Sequence, residues 1–288
     1  MNVTKPEKVG ISRKGVIIYT VIIFVCIISL LVAFYVQFYK RIDLGRLIGI
    51  NQEEKFGNKT DEEIEELKAD FLNIFNNSLE NTEGSSNNSK KEDESKELVY
   101  TSYEKKETKS NSYDLEVRIP NINIKSEVIT KYNKEIEEIF VSMVDKVLKS
   151  ENRNVIYTVD YTSNIQNGIL SLMIHSNFKE GSNAQKVIIK TYNYDLRNNK
   201  EVSLQDILRF EDLDKDQIQQ KIDTTIELEQ KKVKDLEQLG YNIYNRDKSN
   251  EMYNIENTKE FYITDNVIYI VYPYGNNSNT SEMDLVIL

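Results

Sequence analysis

Between Val16 and Val36 the chain runs for 21 residues without a charge, a proline or a glycine, with Thr20 and Ser29 as its clearly polar side chains. As a helix this run would extend about 32 Å at about 1.5 Å per residue, against about 30 Å of bilayer hydrocarbon. It is apolar all round, whereas a buried helix of a water-soluble protein usually keeps a polar stripe. The expectation is one transmembrane helix over residues 16–38, with the lipid bilayer as its partner. Lys5, Lys8, Arg13 and Lys14 precede it, and Lys40, Arg41 and Arg46 follow, with Tyr35, Phe38 and Tyr39 at the second interface. Ala33-Phe34-Tyr35 lacks the small residues of a signal-peptidase site. The segment is therefore read as an uncleaved anchor, with residues 1–15 as a short cytoplasmic tail and the C-terminal part outside the cell membrane. Cys26, the only cysteine, is read as an apolar helix residue.

Charge is distributed unevenly about this run. Up to Arg46 there are seven Lys/Arg and two Asp/Glu, which leaves thirty basic and forty-five acidic residues beyond it. An excess of about fifteen negative charges argues against nucleic acid as a partner, because polyanions are bound through cationic patches. A cationic partner would be attracted, although acidity also serves plain solubility. With no cysteine after the anchor, no disulfide can form there, and the fold must rest on its hydrophobic core.

Residues 39–97 are read as a juxtamembrane segment, an amphipathic helix and a flexible linker. Thr60 as N-cap and Glu63 three residues on form a capping box. Ile64, Leu67, Phe71, Ile74 and Phe75 then recur on one helical face, which either packs on the distal domain or associates laterally with a second copy. From Asn76 to Glu97 the composition turns to Asn, Ser, Glu and Lys, as in a tether.

The folded domain is expected over residues 98–288. Strands are predicted at Leu98 to Tyr103 and at Tyr113 to Ile119, the latter ended by Pro120. A helix opens at Ser126-Glu127 and carries Ile129, Tyr132, Ile136, Ile139, Phe140, Met143 and Val147 on one face. Strands follow at Val155 to Tyr161, Ile169 to His175 and Val187 to Leu196, the first two joined at Asn167-Gly168 as a hairpin. Arg197 to Lys200 reads as a further turn. Asp214 caps a second long helix that stops near Gly240. Phe261 to Thr264 and Val267 to Tyr272 flank a turn at Asp265-Asn266, and Asp284 to Leu288 forms the last strand. Strand groups interrupted by two long helices argue for an α+β fold, with helices laid on antiparallel sheet.

Several chemistries find little support. The single histidine, His175, lies on the strand face opposite Leu170, Leu172 and Ile174, so a histidine-based zinc site or a Ser-His-Asp triad is not expected. Glu211 to Asp216 lacks the glycine and terminal glutamate of an EF-hand loop, and no glycine-rich phosphate loop is present. No cofactor, metal site or catalytic residue is assigned. Carboxylate pairs, which suffice for a wall hydrolase, remain an alternative. A ligand is expected at the final hairpin and its loop, on Tyr272, Tyr274, Asn276 and Asn277. There Pro273-Tyr274-Gly275 breaks the strand, and tyrosines stand beside adaptable polar side chains. The competing reading places Tyr269 and Tyr272 in the core.

Four stretches carry a resemblance: Ile119-Pro120 with the Tyr132-Asn133-Lys134 helix, Ile169 to Leu172, Tyr192 to Leu196 continuing through Val202 to Leu208, and Phe261 to Asn266 through Tyr272. In that order they resemble the extracytoplasmic domain of RsiV-type anti-sigma factors, also found in front of some peptidoglycan deacetylases. The resemblance implies a sensing or binding module at the bacterial cell envelope, with an envelope protein or a cell-wall ligand as partner. About fifteen residues before the anchor are too few to hold a sigma factor. The expected role is a non-catalytic, membrane-anchored module, with signalling through a membrane partner as the regulatory alternative.

Overall fold

A computed structural model of the chain describes residues 59–80 and 97–288. The expected tail, anchor and juxtamembrane segment, and the central part of the expected linker, lie outside the described residues. No helix among the described residues is long and apolar enough to cross a membrane.

The fold is α+β. A six-stranded sheet has the sequential order β1 (Val99–Lys109), β2 (Tyr113–Ile122), β3 (Val155–Gln166), β4 (Ile169–Glu180), β5 (Lys186–Asp195) and β6 (Lys200–Glu201). All neighbours are antiparallel except β2 and β3, which pair in parallel. A parallel pair needs a long crossover, and α2 (Glu127–Ile136) and α3 (Ser142–Lys149) supply it, joined by one π-helical stretch, Glu137–Val141. A second sheet contains β7 (Phe261–Thr264), β8 (Val267–Pro273) and β9 (Met283–Ile287), all antiparallel. The remaining α-helices among the described residues are α1 (Asp61–Glu80), α4 (Leu204–Phe210) and α5 (Lys215–Gln238).

Three hydrophobic clusters follow from the two-residue period of the strands. Leu115, Val117, Tyr157, Leu170, Leu172 and Ile174 face Ile129, Ile136, Phe140 and Val144 of α2, α3 and the π-turn. The opposite face of β4 and β5, through Met173, Val187 and Ile189, meets Val267, Tyr269 and Val271 of β8. The other face of β8, with Ile268, Ile270 and Tyr272, packs on Ile218, Ile222 and Ile226 of α5. β8 is thus buried on both sides. The stripe on α1 closes the middle cluster, with Phe71 fully buried and its ring 5.1 Å from that of Tyr269. The α1 stripe therefore packs on the domain. Its helix also runs on to Glu80, into residues expected to begin the linker.

Local signals appear where expected. Thr60 and Glu63 exchange both capping-box bonds, and the Asp214 side chain accepts from the amides of Asp216 and Gln217. Asn167-Gly168 and Asp265-Asn266 all take positive φ, as the tight hairpin turn requires. Pro120 does not end β2, which continues to Ile122. It sits opposite Thr101, where the register of β1 shifts at a bulge, and there the missing N–H is tolerated.

An unpaired strand edge is usually covered or blunted. β5 pairs with β6 only at Tyr194 and Asp195. Along the rest of that edge, Val187 N–H donates to the Thr280 carbonyl at 3.1 Å and Thr191 N–H to Glu260 Oε2 at 2.7 Å. Between them, the Asn276 carboxamide accepts from Ile189 N–H at 3.1 Å and donates to the Ile189 carbonyl at 2.8 Å. One side-chain amide stands in for a partner strand.

Candidate functional site

Of the four residues expected to contact a ligand, Tyr272 and Tyr274 are buried, at 3% and 0% exposure. Asn276 is half-buried and committed to the β5 edge, and Asn277 is exposed. Tyr272 and Tyr269 are core residues, as the competing reading has it. Tyr272 shares a face with Ile268 and Ile270, as the alternation indicated, but that face lies against α5. Gly275 shows why the loop is drawn inward: a Cβ there would stand 1.7 Å from the Val187 carbonyl oxygen. Only glycine permits that approach.

Tyr274 belongs to a buried charged network that the sequence reading missed. Arg246 donates from Nε to both oxygens of Asp284, at 3.2 and 3.0 Å, and from Nη2 to Asp284 Oδ1 at 3.0 Å. Its Nη1 donates to Glu282 Oε2 and to the Tyr244 carbonyl, each at 2.8 Å. Tyr274 donates its hydroxyl to Asp284 and lies 2.9 Å from the hydroxyl of Tyr253. The Tyr244 ring stacks on Tyr274 at 4.1 Å, and the guanidinium lies over the Tyr274 ring at 4.9 Å. Burial, then the Asp284 charge, pushes the Tyr274 phenol far above its usual range, while burial pushes Tyr253 to about 12. Burial opposes the Arg246 charge, but Asp284 and Glu282 outweigh it and raise its pKa. Arg246 is the only arginine after Arg209, a signal legible in a chain whose later cations are otherwise lysines.

Arg246 also forms part of the wall of an open cleft of about 510 Å³ between α5 and the segment that follows it. Ile226, Glu227, Gln230, Lys231 and Lys234 line the helix side, and Asn245, Asp247 and Lys248 the other. Glu227 pairs with Lys248, which lowers its pKa through a hydrogen bond. Asp247 turns back on Ser249, accepting from its amide at 2.9 Å and its hydroxyl at 2.7 Å. Lys231 and Lys234 are in no ion pair among the described residues.

Two further perturbed groups, His175 and Glu260, are packed within the fold. His175 is half-buried on the face opposite Leu170, Leu172 and Ile174, between Asp160 and Ile189 on the flanking strands. Burial depresses its pKa to about 4, against the attraction of Asp160. Asp160 in turn lies 3.7 Å from Arg118 and accepts from the Tyr161 amide. Glu260 receives Lys190 at 3.3 Å, the Thr191 amide and the Thr191 hydroxyl at 3.1 Å. Burial pushes Glu260 upward; it opposes the Lys190 charge too, but there Glu260 and Glu135 outweigh it and raise the pKa. Three donors converge on the Glu260 carboxyl, which favours its ionised form against that burial. Among the described residues no three His, Cys, Asp or Glu side chains are grouped to hold a metal ion.

No family model matches the chain, and no curated protein matches it. Among solved structures, a DUF3298 family protein from Pseudomonas aeruginosa PAO1 is similar at 12% identity, over 65% of this chain and 85% of its own, with a TM-score of 0.36. A second member of that family, from Bacteroides fragilis, is similar at 13% identity, over 61% and 81% of the two chains, with a TM-score of 0.34.

Proposed function

We propose that this protein is a membrane-anchored binding or sensing module on the outer side of the bacterial cell envelope, with no catalytic step of its own. The apolar run Val16 to Val36 is the anchor, and the acidic, disulfide-free domain is the part that meets a ligand or partner. The observation that carries the non-catalytic reading is the closure of the Arg246 network. Its cation, two carboxylates and two phenols satisfy one another and join the last hairpin to the chain before it. An active site instead aims activated groups at a reacting atom. The resemblance to RsiV-type extracytoplasmic domains agrees with an envelope role. Full-length protein in detergent, mixed with purified bacterial cell walls, is expected to co-sediment with them and to release neither reducing sugar ends nor acetate. Sustained release abolished by a single carboxylate substitution would contradict the reading.

A further inference from the structure

The cleft beside α5 differs in charge from the rest of the acidic domain. Its walls carry Lys231, Lys234, Lys248 and Arg246 against Glu227 and Asp247. Both carboxylates already have partners, Glu227 in Lys248 and Asp247 in Ser249. Lys231 and Lys234 are the cations of the cleft with no ion pair among the described residues. Gln230 uses Oε1 to accept from the Arg246 amide at 2.6 Å, which leaves its Nε2 group. The Arg246 charge is already balanced by Asp284 and Glu282. Lys231 and Lys234 stand on the exposed side of α5, one helical turn apart and thus on one face. The volume of about 510 Å³ falls within the range of small-ligand sites.

From this juxtaposition we infer that the cleft binds an oxyanion, the carboxylate or phosphate group of a polar ligand of about saccharide size. Lys231 and Lys234 supply the charge, and Gln230 and Asn245 hydrogen-bond the uncharged part. The inference rests on the binding-module reading and gives it a site other than the last loop. The position of Arg246 is set by Asp284 and Glu282, so this part of the cleft wall is fixed before any ligand arrives.

Lysine acetylation footprinting of the full-length protein in detergent tests this directly. Inorganic phosphate and glucuronate are the probes, glucose is the uncharged control, and mass spectrometry reads each site. Both anions are expected to slow acetylation of Lys231 and Lys234 several-fold and saturably, with Lys146 and Lys179 unchanged and glucose without effect. A Lys231→Ala/Lys234→Ala variant, altered only on an exposed face, should lose the saturable shift in melting temperature that the anions give the parent. If neither anion protects these lysines, or if the variant responds like the parent, the inference is overturned. Co-sedimentation with cell walls without lysine protection keeps the binding-module reading and removes this site. Protection without co-sedimentation does the reverse.

Discussion

Arg246 ties the last hairpin to the chain before it. Its loss would leave Asp284, at 4% exposure, as a buried charge without a counter-ion. Removing one partner of such a pair costs about 3–5 kcal/mol. Arg246→Met is expected to lower urea stability by about that much, and Arg246→Lys to recover only part, because an ammonium lacks the planar fork that grips both Asp284 oxygens. Adding Asp284→Leu to Arg246→Met should recover more than lysine does. Gly275→Ala tests the close approach to Val187: overpacking typically costs about 1–3 kcal/mol, and a drop within or above that range is expected. His175 gives a pH signature. Its folded pKa of about 4 lies below the ordinary 6.5, so below pH 6.5 the unfolded chain binds a proton that the native chain refuses. The contribution of His175 is therefore complete above about pH 6.5 and is lost as pH drops towards 4. His175→Gln should flatten that fall by about 2 kcal/mol relative to the parent, measured by urea titrations at pH 7 and pH 4.5.

Among the elements, the ones legible in the sequence are those whose cause is local. The Asn167-Gly168 and Asp265-Asn266 turns, the Thr60 capping box and the Asp214 cap are written within four residues of where they act. The alternation in β8 was legible too, but not that both of its faces are covered, because the covering elements are distant in sequence. Asn276 was hidden for a related reason. An amide in a solvated loop and an amide that completes a strand edge have the same sequence appearance, and here the partner, Ile189, is 87 residues away. Asn276→Ala should cost about 1–3 kcal/mol by leaving a half-buried amide and carbonyl unpaired, and should speed hydrogen exchange at the Ile189 amide. α1 makes the same point with a hydrophobic stripe. Phe71→Ala is expected to cost about 3–5 kcal/mol, read by thermal or urea unfolding; an exposed coiled-coil face would show almost no loss in the monomer.

At the scale of the whole molecule, the sequence conveys the α+β class and the order of the elements, whereas the second sheet, its packing between α1, the six-stranded sheet and α5, and the cleft beyond it depend on long-range contacts. The proposed anion site accordingly lies in a segment without a sequence motif, whereas two tyrosines of the last loop are core. The proposed anchor is a composition-level feature, and on it rests the claim that the domain works outside the cell. The most direct test uses the chemistry of the chain itself. Cys26 lies within the apolar run and is the only cysteine, so a Ser278→Cys variant places a single thiol on an exposed loop of the domain. Intact bacterial cells expressing this variant are treated with a membrane-impermeant maleimide, and the label is read in the membrane fraction before and after lysis. The parent chain, treated in the same way, sets the background from Cys26. Full labelling of the Ser278→Cys variant in intact cells, with its recovery in membranes, is the expected result. Labelling that appears only after lysis, or recovery in the soluble fraction, would contradict it.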